Sequence, residues 1–287
     1  MSPVSPILVC HSAGSAHDDL ARRVARIASE IAPLVESVTS LPLPAYVEFH
    51  LVTRRGWVRG MRKYAERIVR EDLAAYGPDR AVLKWLNRTL KADATRWLDI
   101  ASTIHTESGW AQVLLCPRGL KHAGWHYHPS RVVEVIAREL CQVAQHHASS
   151  DTLLSAVNTS MATRRGVSER ALRPVVEGHA TWCAEKVMAE RFGEHVPPGG
   201  RRKPPSRRYT RRARSAGCRQ ERREADAGNR FVTHVLTGAG QRPALDVALF
   251  NEVFRRFTLM PSPAELAEPD TWLDRVQPVW DGDRSAR

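Results

Sequence analysis

The side chains best placed to do chemistry lie between Arg131 and Ser149, RVVEVIARELCQVAQHHAS. Apolar residues recur there with helical period. Wound at about 100° per residue, Val132, Val133, Ile136, Leu140, Val143 and Ala144 share one arc and form a core-facing stripe. Glu139, Gln142 and His146 cluster on the flank of that stripe, with Arg138 at their far edge. A polar strip beside a buried stripe is what a cleft-lining helix needs, and any amphipathic helix with a polar shoulder has the same layout. Of the four, Glu139 can move a proton. Arg138 has no lone pair to give and stays protonated, so it ligates no metal. Gln142 offers a neutral amide oxygen, a poor partner for zinc.

Histidines supply a second possibility. His122, His126 and His128 crowd the stretch before this helix, and His146-His147 close it. Imidazole is the commonest metal ligand, so His126, His128 and His146, with Glu139 or Glu177, are candidates for a metal site. Against this, Glu139 and His146 are two helical turns apart, about 10 Å along the axis. The periodicity turns His147 toward the core, and His179 reads as a packed or hydrogen-bonded residue. Cys141 and Cys183 read as small core residues rather than ligands. The loop Cys10-His11-Ser12-Ala13-Gly14-Ser15 is not G-x-S-x-G, and no P-loop or G-x-G-x-x-G supports nucleotide chemistry.

The elements that must position these residues are helical nearly throughout. Asp18–Ile31, ending before Pro33, Tyr64–Tyr76 and Asp79–Ile104 carry helical periodicity. Trp110–Cys116 is a short apolar run between Gly109 and Pro117 and is the best strand candidate. Pro117–Pro129, rich in Gly and His, reads as a loop. A further helix is expected from about Pro174 to just before Gly193. Asn229–Leu236 and Ala244–Phe257 are helical, and Ser262-Pro263-Ala264-Glu265 is a capping-box start. The expected architecture is mainly α with little sheet. It divides into an N-terminal helical region (1–109), a core bearing the candidate helix (110–200), a basic linker (201–227) and a C-terminal helical segment (228–287).

Charge separates the linker from the rest. Residues 201–224 hold ten Arg and one Lys against two Glu, a net +9 out of +12 for all 287 residues, so the remainder is nearly neutral. Dense like charge with Pro204-Pro205 and few apolar side chains predicts a low-order loop or a solvated helix. Arg207, Arg208, Arg211, Arg212 and Arg214 are its candidates for meeting a polyanion, either nucleic acid or a membrane surface. No run of about 18 apolar residues occurs, and the first ten residues lack a basic n-region and a long apolar stretch. Five widely spaced Cys without a C-x-x-C pair suggest reduced thiols. A cytoplasmic protein is expected.

Arg138-Glu139-Leu140-Cys141-Gln142 resembles the H-E-x-x-H segment of zincin metallopeptidases, and Val176-Glu177-Gly178-His179-Ala180 resembles the E-G-x-A segment of gluzincins. Farther on, Gly228–Val232, Phe250–Phe254 and Leu259–Val276 are similar to the C-terminal pattern of a bacterial zincin-like family described as zinc-dependent metalloproteases. The similarity covers roughly residues 110–276. It implies a zincin-like domain, with Glu139 at the general-base position, Glu177 at that of a third ligand, and Arg138 and Gln142 where the metal-binding His would stand. The two residues that matter most for zinc are the ones that differ. A guanidinium beside two cleft carboxylates would replace the missing positive charge, and Arg138 is expected to pair with Glu177, Glu139 or both. The expected function is therefore a zincin-like homologue with peptidase activity lost or severely reduced. It would keep a groove for a peptide or protein and need no cofactor, zinc entering only if the family's function is retained. Two alternatives stand beside it: an active metallopeptidase using displaced His, and a polyanion binder acting through the basic segment.

Overall fold

The computed structural model describes residues 6–77, 80, 84, 96–106, 110–150, 153, 169–193, 203–238 and 243–285. Most of them are helical, and the few strands form one small sheet: β1 (Ile7–His11), β2 (Val47–Leu51), β3 (Ala101–His105) and β4 (Ala111–Leu115), in the order β1-β2-β4-β3. β1, β2 and β4 run parallel, and β3 lies antiparallel to β4 at the edge. Parallel neighbours need crossovers. Helix α1 (Asp18–Thr39) links β1 to β2, and α2 (Arg54–Tyr76) follows β2.

Pleating divides the β4 side chains between two cores. Val113 and Leu115 join Phe49, α1 and the candidate helix, α4 (Pro129–Ala148), on one face. Leu114 and Cys116 join Trp57, Met61, Tyr64 and Ile68 of α2 on the other. The first core continues through α5 (Glu169–Phe192) and α7 (Ala216–Thr237) to Phe250, Phe254, Trp272 and Trp280 of the C-terminal region. The expected capping box is present, Ser262 accepting from Glu265 N–H while Glu265 accepts from Ser262 N–H.

Several expectations need correction. Region 1–109 supplies three of the four strands and is not purely helical. The expected helix over Asp79–Ile104 is helical at the described residues 80, 84 and 96 but ends in a short 3₁₀ turn, Trp97–Asp99, followed by β3; residues 79, 81–83 and 85–95 lie outside the described residues. The switch falls at Ile100, whose φ of 79° breaks any helix. α1 runs through Pro33 to Thr39, because its buried stripe continues with Val35. α2 begins ten residues early, capped by the Thr53 hydroxyl accepting from Gly56 N–H. Pro117–Ala123 is a helix, α3, with Pro117 in its first turn and Gly124 in the left-handed region at its end. α5 is already helical at Glu169, so Pro174 lies inside it.

The basic segment takes the second of its two expected forms, a solvated helix, rather than a low-order loop. From Lys203 onward it is ordered, forming α6 (Arg207–Ala213) and most of α7; residues 201–202 lie outside the described residues. Ser206 donates its N–H to the His122 carbonyl and its hydroxyl lies 2.7 Å from His122 Nδ1. α7 then crosses α5 with backbone against backbone. A Cβ on Gly228 would come within 1.7 Å of the Pro174 carbonyl oxygen, and one on Gly178 within 2.1 Å of the Gly228 carbon. Only glycine at both positions allows that approach. As the charge density predicts, no described side chain of residues 203–224 is buried; Phe231, Val232 and Val235, farther along the same helix, are buried and hold it down.

Candidate functional site

α4, α5, β3 and α7 enclose a cleft of about 380 Å³. The four positions that carry the resemblance line it, Arg138, Glu139 and Gln142 from α4 and Glu177 from α5, while His126, His128 and His146 do not. The stripe expected to be core, from Val132 to Ala144, is buried and fixes the rotation of α4. The Gly178–Gly228 crossing fixes α5, and Glu177 adjoins that contact.

Arg138 Nη2 donates to Glu177 Oε2 at 2.9 Å. The pair is partly exposed, 36% for Arg138 and 26% for Glu177, so water weakens it. Glu139 is buried, and Thr103 on β3 donates its hydroxyl to Glu139 Oε2 at 2.7 Å. Burial pushes the Glu139 carboxyl up to about 7, against the opposing pull of the Thr103 hydrogen bond and the Arg138 charge; the Glu177 carboxylate adds to the rise. Glu139 can therefore exchange a proton near neutrality. No periodicity argument could reach Thr103, since its segment reads as helix.

The donor set does not fit zinc. Glu177, which the resemblance would make a third ligand, is engaged by the Arg138 guanidinium, which has nothing to donate to a metal, and Gln142 offers only an amide. The alternative ligands are not brought together. His126 and His128 sit before α4, His126 against the His17 ring and His128 with Nδ1 2.9 Å from the Ser130 hydroxyl. Burial lowers His126 to about 4. His146 is wholly buried and stacks on His105 at 5.6 Å, whereas His147 is only half-buried, the reverse of the expected order. Among the described residues no group of three or more His, Cys, Asp or Glu could hold a metal ion. His179 is packed against Trp182, Phe250 and Phe254 and lies 2.9 Å from Gln145 Nε2, and burial lowers it to about 3. Cys141 and Cys183 are buried free thiols.

The other side of the cleft was not legible beforehand. Arg212 of α6 makes a two-pronged contact with Asp99, 3.1 and 3.0 Å, and lies 3.5 Å from Glu221, which Arg173 of α5 approaches at 3.4 Å. Burial pulls the Asp99 carboxyl upward against Arg212. This chain of charges ties α6 and α7 across the cleft mouth, and Trp57, Trp125 and Tyr209 add aromatic walls. Arg212 is thus committed to intramolecular pairs, while Arg207, Arg208, Arg211 and Arg214 are exposed. No protein-family model, curated protein or solved structure matches this chain. Among the described residues no helix is long and apolar enough to cross a membrane.

Proposed function

We propose that this chain is a zincin-like metallopeptidase homologue in which an ion pair replaces the metal centre, leaving a peptide-sized cleft without metal-assisted hydrolysis. The observation that carries the reading is the Arg138–Glu177 contact at 2.9 Å beside the buried Glu139, on two helices and at the positions the resemblance assigns to ligand and base. The sheet adds support, because β3 is an antiparallel edge strand whose Ala101 and Ser102 line the cleft. An extended peptide can pair with such an edge through its backbone. Glu139, titrating near neutrality, would meet that peptide as a hydrogen-bond donor when protonated or as an acceptor when ionised. Lacking a metal to polarise a carbonyl and activate water, it has no partner for the hardest step of hydrolysis. The five free thiols fit a reducing compartment such as the cytoplasm.

Restoring the ligands tests the reading. The double variant Arg138→His/Gln142→His should gain about one equivalent of zinc that survives dialysis, while the parent protein retains well under one. Failure of the double variant to gain zinc, with the fold intact by circular dichroism, would refute the zincin assignment. Stoichiometric zinc in the parent would refute the loss of the metal centre.

A further inference from the structure

On the face of the sheet opposite α4, five arginines converge on one groove with no carboxylate among them. The groove, about 900 Å³, is lined by Thr53, Arg54, Arg55, Val58, Arg59 and Arg62 of the β2–α2 segment and by Arg118 of α3. Both segments follow parallel strands, α2 after β2 and α3 after β4, so the groove sits at the carboxyl edge of the sheet. Open sheets with parallel strands commonly bind ligands at that edge. Along α2, Arg55, Arg59 and Arg62 fall within about 60° of one another and span roughly 10 Å of helix axis, a stripe rather than a scatter. All three are exposed, as is Arg118.

The arrangement is electrostatically one-sided. Several arginines elsewhere meet acids: Arg22 with Asp19, Arg131 with Glu134, Arg212 with Asp99, Arg275 with Glu265. No ion pair with an acid is found for Arg54, Arg55, Arg59, Arg62 or Arg118 among the described residues. Three guanidiniums instead gather on a single buried indole. Arg54, Arg118 and Arg208 lie 5.6, 5.8 and 5.7 Å from the Trp97 ring centroid. The ring face attracts each cation, yet like charges held this close repel one another unless an anion intervenes. Arg208 also joins the groove to α6, whose Arg207 and Arg211 are exposed. The positive surface therefore runs from α2 across α3 onto the basic segment.

We propose that this groove binds the phosphodiester backbone of a nucleic acid, without reading its bases. Guanidinium forks match phosphate oxygens two at a time, and every charge in the groove is arginine rather than lysine. Base-blind binding follows from the lining, which holds no aromatic side chain on which a base could stack. A membrane surface is the poorer fit. The groove is concave, and its only large apolar side chain is Val58, whereas a helix lying on a bilayer inserts several. Among the described residues the exposed large hydrophobic ones, Leu8, Trp110, Tyr127 and Val279, all lie outside it.

The test is fluorescence anisotropy of the full chain with a labelled 20-nucleotide single strand and with a duplex of the same length, each at two or more salt concentrations. Binding should weaken steeply with salt, with a slope approaching about −4 on logarithmic axes if five phosphates are neutralised. The variant Arg55→Gln/Arg59→Gln/Arg62→Gln should lose at least about tenfold in affinity at low salt and flatten the slope by about 2 to 3, for random and defined sequences alike. Its thermal midpoint should stay within a few degrees of the parent's, because the three side chains are exposed. If it unfolds, the single variant Arg59→Gln should still lower the slope by roughly one. Four results would overturn the proposal: no binding of either oligonucleotide at low salt; loss of binding only when Arg207, Arg211 and Arg214 are changed; a marked preference for one base sequence; or binding to phosphatidylserine vesicles with none to nucleic acid.

Discussion

Replacing Glu139 with Gln isolates the cost of burying one carboxyl. In the folded protein its titration is raised from 4.5 to about 7, chiefly by desolvation. Between those values the folded chain holds a proton that the unfolded chain has released, so stability falls as pH rises through that window. The contribution is fully present below about pH 4.5 and lost above about pH 7. A rise of about 2.5 pH units at 1.36 kcal/mol per unit amounts to roughly 3 kcal/mol. Gln keeps the shape, and its carbonyl oxygen still accepts from Thr103, 2.7 Å from the present carboxylate oxygen. Urea unfolding followed by circular dichroism at pH 5, 6, 7 and 8 gives the assay. The variant should match the parent within about 1 kcal/mol at pH 5 and exceed it by about 3 kcal/mol at pH 8. His105, His126 and His179 are shifted the other way, toward lower values, and make both proteins gain stability as pH rises toward 6.5. That shared trend cancels in the difference. A difference that does not change with pH, or a variant less stable at pH 8, would show that Glu139 is neither desolvated nor proton-holding as described.

Arg138→Ala should cost only about 1 kcal/mol, since the pair with Glu177 is partly exposed, and should raise the Glu139 titration further by removing its favourable charge; denaturant unfolding and carboxyl NMR titration check the two halves. Gly228→Ala should destabilise by about 3 kcal/mol or prevent folding, because the added carbon would overlap the Pro174 carbonyl; a neutral result by thermal melting would dismiss the close crossing of α5 and α7. Arg212→Ala should cost about 1 kcal/mol, through loss of the two-pronged contact with the solvent-screened Asp99, and should speed trypsin cleavage in α6; unchanged proteolysis would mean that the charge chain does not hold that helix.

Local patterns in the sequence determined the helix that carries Glu139, its buried stripe, the strand at Ala111–Leu115 and the capping box at Ser262. Each depends on residues close together in the chain, where period and capping chemistry act directly. Ligand chemistry also follows from residue type alone, since Arg138 ligates nothing in any fold. Tertiary structure decided the rest. Ala101–His105 became an edge strand because pairing with β4 outweighed the helical periodicity before it, and that pairing brought Thr103 to Glu139. The rotation of α4 at its end was settled by packing, which put His146 rather than His147 inside. Charge density in residues 203–224 spoke for solvation, while Asp99, 113 residues away from Arg212, and the glycine crossing with α5 drew the segment over the cleft. The arginine groove was equally invisible, because its members come from two segments more than fifty residues apart that meet only where β2 and β4 lie side by side and release α2 and α3 at one edge.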